Sequence, residues 1–306
     1  MELERWAELS AAVSAIAASW KRQPRDRHST ALIVRVHLWA ALFDRPIRWA
    51  CDARNWRAAT RPEALPDQST MSRRTRRADF MAFLERVGER LNGGKPAAAA
   101  AAAARGLVRV VDGKPLELPN HTTDRDATWA RGVSRTSVGY KLHAIYSGNP
   151  MPDAFAITTL NVCEKQMAAR MIKRVEGSGG YLLADAHFDA SWLFDYCHHH
   201  GLQLVCPRAK PGTGFGHGYL SPHRYRAVEM LESPAGVNAF GPTLYAMRTD
   251  VEREFSGLSC FGGGLAALPS WVRRIWRVRN WVMSKLLINA ARIRINRRKG
   301  VTTRAA

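Results

Sequence analysis

No two cysteines in this 306-residue chain stand in a C-x-x-C arrangement, and the five that occur (Cys51, Cys163, Cys197, Cys206 and Cys260) are scattered. An odd, unpatterned set in a chain this long excludes a disulfide framework or a zinc knuckle and argues for a reducing compartment. Long apolar runs are also missing: none approaches the roughly 20 residues needed to span a bilayer. The opening "MELERWAELS" carries acids where a secretory signal would have an apolar core. These absences lead us to expect a cytoplasmic protein with no membrane association. Acidic residues are scarce as well, with Asp plus Glu at 26 against Lys plus Arg at 46, a net charge of +20. A charge that large opposes compaction unless something anionic offsets it. Nucleic acid is the leading partner, because its phosphates are dense and regular. Hydrophobic residues make up 46% of the chain, enough for a sizeable core. No internal repeat is visible.

Residues 1–91 have helical periodicity. "ELERWAELSAAVSAIAASW" and "STALIVRVHLWAALFD" place apolar residues at helical spacing, the second beginning after Ser29. After Pro62 and Pro66 the pattern resumes, with Phe80, Leu84, Val87 and Leu91 on one face. Gly93, Gly94 and Pro96 end that helix, and the alanine run behind them has nothing bulky to pack. Residues 92–106 therefore read as a linker. From Leu107 the periodicity changes to that of strands: "LVRVVDGKPLEL", then "VGYKLHAIYS" and "DAFAITTLNV" around the turn "GNPMP". Helix "EKQMAARMIKRVEG", strand "YLLADA", helix "DASWLFDYCHHHG" and strand "LQLVCPR" follow, and the chain ends in helices. A three-strand meander followed by alternating helices and strands predicts a mixed α/β sheet with flanking helices, preceded by a small all-α domain.

Three carboxylates stand out. Asp112 lies in the first strand within "VVDGKP", Asp185 ends the fourth strand, and Glu252 lies on a later helix in "YAMRTDVEREF". Acids converging from two strand ends and a covering helix repel one another unless cations bind between them. Oxygen ligands suit hard cations, Mg²⁺ above all. Two such ions serve phosphodiester displacement. Each residue also has a plainer reading: Asp112 before Gly113 as a turn residue, Glu252 as part of a solvated helix face, and Tyr245 as a half-buried tyrosine.

The order of strands, Asp112, Asp185 and Glu252 resembles the catalytic domain of the DDE transposases of bacterial insertion sequences. The signature around their glutamate is Tyr, two residues, Arg, three residues, Glu, six residues, Lys. Tyr245, Arg248 and Glu252 match that spacing, whereas Ser259 stands in the lysine's place. "GYKLHAIY" and "LLADAHFD" also look like family segments, with His187 where a small residue is usual. The resemblance covers about residues 107–296. It implies a ribonuclease H-like fold over 107–306, with Asp112, Asp185 and Glu252 as catalytic ligands of two Mg²⁺ ions, for which Mn²⁺ would substitute. It also implies DNA contacts by Tyr245 and Arg248, cleavage at transposon ends, strand transfer into target DNA, and a homodimer in the active complex. Ser259 and the alanine run leave a second reading open, a transposase-derived DNA-binding protein without catalysis. A third is a nuclease of the same fold that hydrolyses without joining.

Two basic stretches fit DNA. "MSRRTRR" supplies Arg73, Arg74, Arg76 and Arg77 at the start of a helix, with Ser69 and Thr70 as candidate caps, in the manner of a recognition helix in a helix-turn-helix domain. From Trp271 onward there is no Asp or Glu. There Arg273, Arg274, Arg277 and Arg279 alternate with Trp271, Trp276 and Trp281. The aromatic residues, with Ile275, Val278 and Val282, are expected to pack on the sheet and the arginines to face outward. Asp189, just ahead of "ASWLFDY", has the place and chemistry of a helix N-cap. His187, beside Asp185, admits either a phosphate contact or a structural role. His198, His199 and His200 close a helix, where positive charge favours the dipole.

Overall fold

The structure is a computed structural model that describes residues 1–24, 26–93, 107–175, 179–210, 218–232, 239–249, 256–265 and 267–300. The alanine run and Glu252 lie outside them. The chain forms two compact units. One comprises Met1–Ala98, Asp124–Asp126 and Ser256–Ala306, and the other Ala99–Thr123 with Ala127–Phe255.

The first unit is helical: α1 (Glu2–Ala17), α2 (Thr30–Leu42), α3 (Ile47–Ala50), α4 (Gln68–Arg74), α5 (Ala78–Leu91) and, from the other end of the chain, α10 (Ile275–Arg298). Ser29 caps α2 as expected, its side chain accepting from the Leu32 N–H. Phe80, Phe83, Leu84, Val87 and Leu91 bury one face of α5. Trp39 stacks on Trp56 with ring centroids 4.5 Å apart, and Trp6 meets both edge-on. Both stacked indoles are satisfied: Trp39 Nε1 donates to the Asn55 carbonyl and Trp56 Nε1 to that of Ala50.

α10 packs on α1, α2 and α5, so the structure differs here from the boundaries read in sequence, which placed everything from 107 to 306 in one catalytic domain. The reason is that α10 is apolar on several faces at once. Val278, Trp281, Val282, Leu286, Leu287, Ile288 and Ala291 are all buried, and such a helix needs partners around it rather than one sheet face beneath it. Its start is fixed by two acids. The Arg274 N–H donates to Asp124 Oδ2, and the Ile275 N–H to Asp126 Oδ2. Those bonds hold Arg274 at a φ of 74°, in the left-handed region that non-glycine residues rarely enter. Inside the unit, Lys285 is 1% exposed. Its Nζ donates to the carbonyls of Ala41 and Gly263 and pairs with Asp44, all within 2.9 Å.

The second unit is built on a six-stranded mixed sheet: β1 (Val108–Leu118), β2 (Thr128–Arg131), β3 (Thr136–Tyr146), β4 (Ala154–Thr159), β5 (Tyr181–Leu183) and β6 (Gln203–Val205). The order is β2-β3-β1-β5-β6, with β4 also pairing β3. β1, β3 and β4 run antiparallel, while β5 and β6 join β1 in parallel. This is the mixed sheet read from the sequence, in the ribonuclease H-like arrangement that the family resemblance implied, with the short β2 added. α6 (Glu164–Ile172) and α7 (Ser191–His199) bury Met167, Met171, Leu193 and Phe194 in a core shared with Val111, Ile145 and Leu182. α8 (Pro222–Glu232) packs beside α7 and β6, and α9 (Phe240–Ala246) beside α8.

Replacing Lys285 by Met keeps the volume but strands the two carbonyls, each worth roughly 1–3 kcal/mol when unsatisfied. The Lys285→Met protein is expected to lose about 2–3 kcal/mol in denaturant unfolding. An unchanged unfolding midpoint would show that the ammonium does not hold α10 in place.

Candidate active site

Parallel pairing of β1 with β5 ends at Val110 opposite Leu183. Two residues further on each strand stand Asp112 and Asp185. Both residues thus stand two positions past the last paired rung, and Asp185 is close enough for its charge to act on Asp112. Strand alternation turns Asp112 away from the face that carries Val111 and Gly113. Asp112 and Gly113 lie inside β1, paired with Ala144 and His143, so the Asp-Gly dipeptide forms no turn here. Beyond Val110, β1 keeps β3 on one side and has no paired strand on the other among the described residues, which is how Pro115 is tolerated.

Each aspartate is held by backbone. Asp112 Oδ1 accepts from the Gly113 N–H at 2.7 Å. Asp185 caps the short 3-10 turn Ala186–Phe188, its Oδ1 accepting from the His187 N–H at 2.9 Å. His187 therefore serves Asp185 through its main chain, and its ring is exposed. Burial pushes the Asp112 carboxyl up to about 6. The Gly113 N–H and the positive charge of Arg248 pull the other way, while the negative charges of Asp185 and Glu164 add to the rise. The Tyr245 hydroxyl donates to the Ala184 carbonyl at 3.1 Å, on the residue before Asp185. The structure thus gathers Asp112, Asp185, Tyr245 and Arg248 around one pair of strand ends.

The expected basic residues divide. Arg74 is 7% exposed. It pairs with Asp26 at 3.0 Å and donates to the His28 carbonyl and the Thr30 hydroxyl. Arg77 pairs with Asp26 and Asp79, and Arg274 with Asp126. Those three are tied into the helical unit. Arg73 and Arg76 are exposed, Arg76 lies 4.9 Å over the Trp276 ring, and Arg277 lies 5.0 Å from the same ring. Arg273 is exposed, its Nε donating to the Ser270 carbonyl. The arginines of "MSRRTRR" close α4 and lead into α5 rather than opening a helix, and Asp67 caps α4 in place of Ser69 or Thr70. Trp281, Val278 and Val282 are buried, on a helix that packs on α1, α2 and α5. Ser259 donates to the Leu265 carbonyl, a structural bond.

Asp189 is not the cap it was expected to be. α7 has Ala190 at its N-cap with no side-chain bond. Asp189 instead takes Arg224 bidentately, at 2.6 and 2.8 Å, and accepts from the Ala209 N–H. The fork of a guanidinium outcompetes a single N–H for a carboxylate within reach. Two further groups near the site went unnoticed in the sequence. Glu164 pairs with Lys141 at 2.7 Å, and a β-carbon at position 113 would stand 2.8 Å from Glu164 Oε1. A glycine inside a strand pattern is the signal for such a close approach.

Asp112, inside β1, and Asp185, just past the end of β5, are thus brought near each other on the mixed sheet. The family model for the transposase DDE domain matches residues 104–263, and the chain belongs to that family. It is a DNA transposase, an enzyme of phosphodiester hydrolysis and transesterification whose family generally uses divalent metal ions. No curated protein matches it. Among solved structures, the chain is similar to a piggyBac transposase in a synaptic complex with hairpin DNA. The TM-score is 0.47 and the identity 10%, over 99% of this chain and 75% of that one. No helix among the described residues is long and apolar enough to cross a membrane.

An acid whose folded pKa exceeds its ordinary value of 3.8 gains a proton on folding, so its contribution to stability is present below about pH 4 and lost as pH rises toward 6. In metal-free buffer, Asp112→Asn is expected to stabilise the protein at pH 7 by about 2–3 kcal/mol, and by little near pH 4. A destabilised Asn variant at pH 7 would contradict this.

Proposed function

We propose that Asp112, Asp185 and Glu252 hold two Mg²⁺ ions, replaceable by Mn²⁺, for cutting at the ends of an insertion sequence and joining those ends to target DNA. The observation that carries this reading is the pairing of Asp112 with Asp185. One is desolvated, the other is a like charge beside it, and a divalent cation relieves both penalties at once. The donor set fits the ion, since carboxylate oxygens suit a hard cation. When bound, the ions supply Lewis-acid stabilisation of the attacking and leaving oxygens of an in-line displacement.

The chain's own residues do the rest. Asp112 and Asp185 are preset by the Gly113 and His187 N–H groups, so little reorganisation accompanies loading. Arg248, close enough to act on Asp112, suits a phosphate of the transposon end, and Tyr245 braces the turn that carries Asp185. Arg73, Arg76, Arg273 and Arg277 face outward and are suited to phosphate contacts. Arg74, Arg77 and Arg274 act through the fold by holding the elements that carry the others. The active complex is read as a homodimer, one protomer for each transposon end, in the cytoplasm.

Asp112→Asn and Asp185→Asn are each expected to abolish Mg²⁺-dependent cleavage of DNA carrying the sequences that flank the gene, with binding of that DNA largely retained in a gel-shift assay. Full cleavage by either variant would overturn the assignment. Cleavage without joining of pre-cut ends would favour the nuclease reading.

A further inference from the structure

Gly113 lies between two carboxylates. Its N–H donates to Asp112 on one face of β1, and Glu164 Oε1 occupies the space its missing side chain leaves on the other. Glu164 opens α6, where the helix dipole favours negative charge, and its partner Lys141 reaches it at 2.7 Å from β3. Their side chains are only 16% and 11% exposed. A well-packed apolar pair would cost less to bury than two charges. The surroundings respond to them: His143, on the same face of β3, is held neutral, its pKa lowered to about 4 by burial and by the charge of Lys141. Its Nε2 meets the Thr158 hydroxyl, which in turn donates to the Thr159 carbonyl, so the ring carries its proton on Nε2.

We propose that Lys141 and Glu164 are positioning residues for Asp112: a balanced charge pair under the strand that props the Asp-Gly step and sets how strongly the site attracts its cation. This rests on the reading of Asp112 as a metal ligand. Glu164 adds to the negative potential at Asp112. The Lys141 ammonium, 2.7 Å from that carboxylate, opposes its field and keeps the glutamate from swinging away. Removing one member therefore does more than loosen the packing. Without the Glu164 charge, the Lys141 ammonium opposes cation entry. Without Lys141, the Glu164 charge favours it. A pair that merely glued α6 to the sheet would give losses of one sign.

The test is Mn²⁺ binding to the full-length protein at pH 8, read from the electron paramagnetic resonance of the free ion, with no DNA and no turnover. Glu164→Gln is expected to weaken binding by roughly five- to tenfold, the scale of one uncompensated charge acting on a nearby divalent ion through water-like screening. Lys141→Met is expected to tighten binding, and the double variant Lys141→Met with Glu164→Gln to return within about twofold of the wild type. Lys141→Arg, which keeps the charge, should bind like the wild type. Circular dichroism establishes that each variant is folded; if Glu164→Gln alone is not, the opposite sign of Lys141→Met and the recovery in the double variant still decide. Equal weakening by both single variants with no recovery in the double would overturn the proposal. So would unchanged binding in all of them. Asp112→Asn separates the two levels of the argument. If it binds Mn²⁺ as the wild type does, the metal reading fails and the positioning role falls with it. If it alone loses binding, only the positioning role fails.

Discussion

Two negative charges held side by side under partial burial are the constraint around which the catalytic unit is arranged. β1 and β5 run parallel and end their pairing two residues before Asp112 and Asp185, so the sheet delivers the two carboxylates to neighbouring positions. Backbone N–H groups partly satisfy each one, and Arg248 supplies positive charge, yet the Asp112 carboxyl still sits well above the ordinary range. A fold optimised for stability alone would replace one of the pair. Keeping both is consistent with the cation-binding role proposed for them.

The surrounding polar groups take their meaning from that pair. Tyr245 fixes the carbonyl ahead of Asp185, and Gly113 admits Glu164 under Asp112. In the helical unit the logic is different. Arg74, Arg77 and Lys285 spend their charge on holding helices, whereas Arg73, Arg76 and Arg277 turn theirs outward. The chain's +20 charge is therefore not all available to DNA, and the division follows burial rather than position in the sequence.

The sheet was largely legible from the residues alone, because strand periodicity and turn glycines and prolines are local signals. The helix starting after Ser29 and the apolar face of α5 were legible for the same reason. What escaped is what tertiary partners decide. Asp189 has the chemistry of a cap, but Arg224, 35 residues away, claims it. α10 has the arginines of a surface strip and an apolar content that only neighbouring helices can bury. Lys141 and Glu164 lie 23 residues apart, with no local pattern to join them.

The claim on which the account depends is that a divalent cation binds at Asp112 and Asp185. Loading the protein with Fe²⁺ in place of Mg²⁺ and adding ascorbate and peroxide cuts a polypeptide beside the bound ion, and mass spectrometry of the fragments locates the cuts. The account predicts cleavage next to Asp112 and Asp185, suppressed by excess Mg²⁺ and absent from the Asp112→Asn protein. Cuts confined to other parts of the chain, or cuts at these positions that survive in Asp112→Asn, would contradict it.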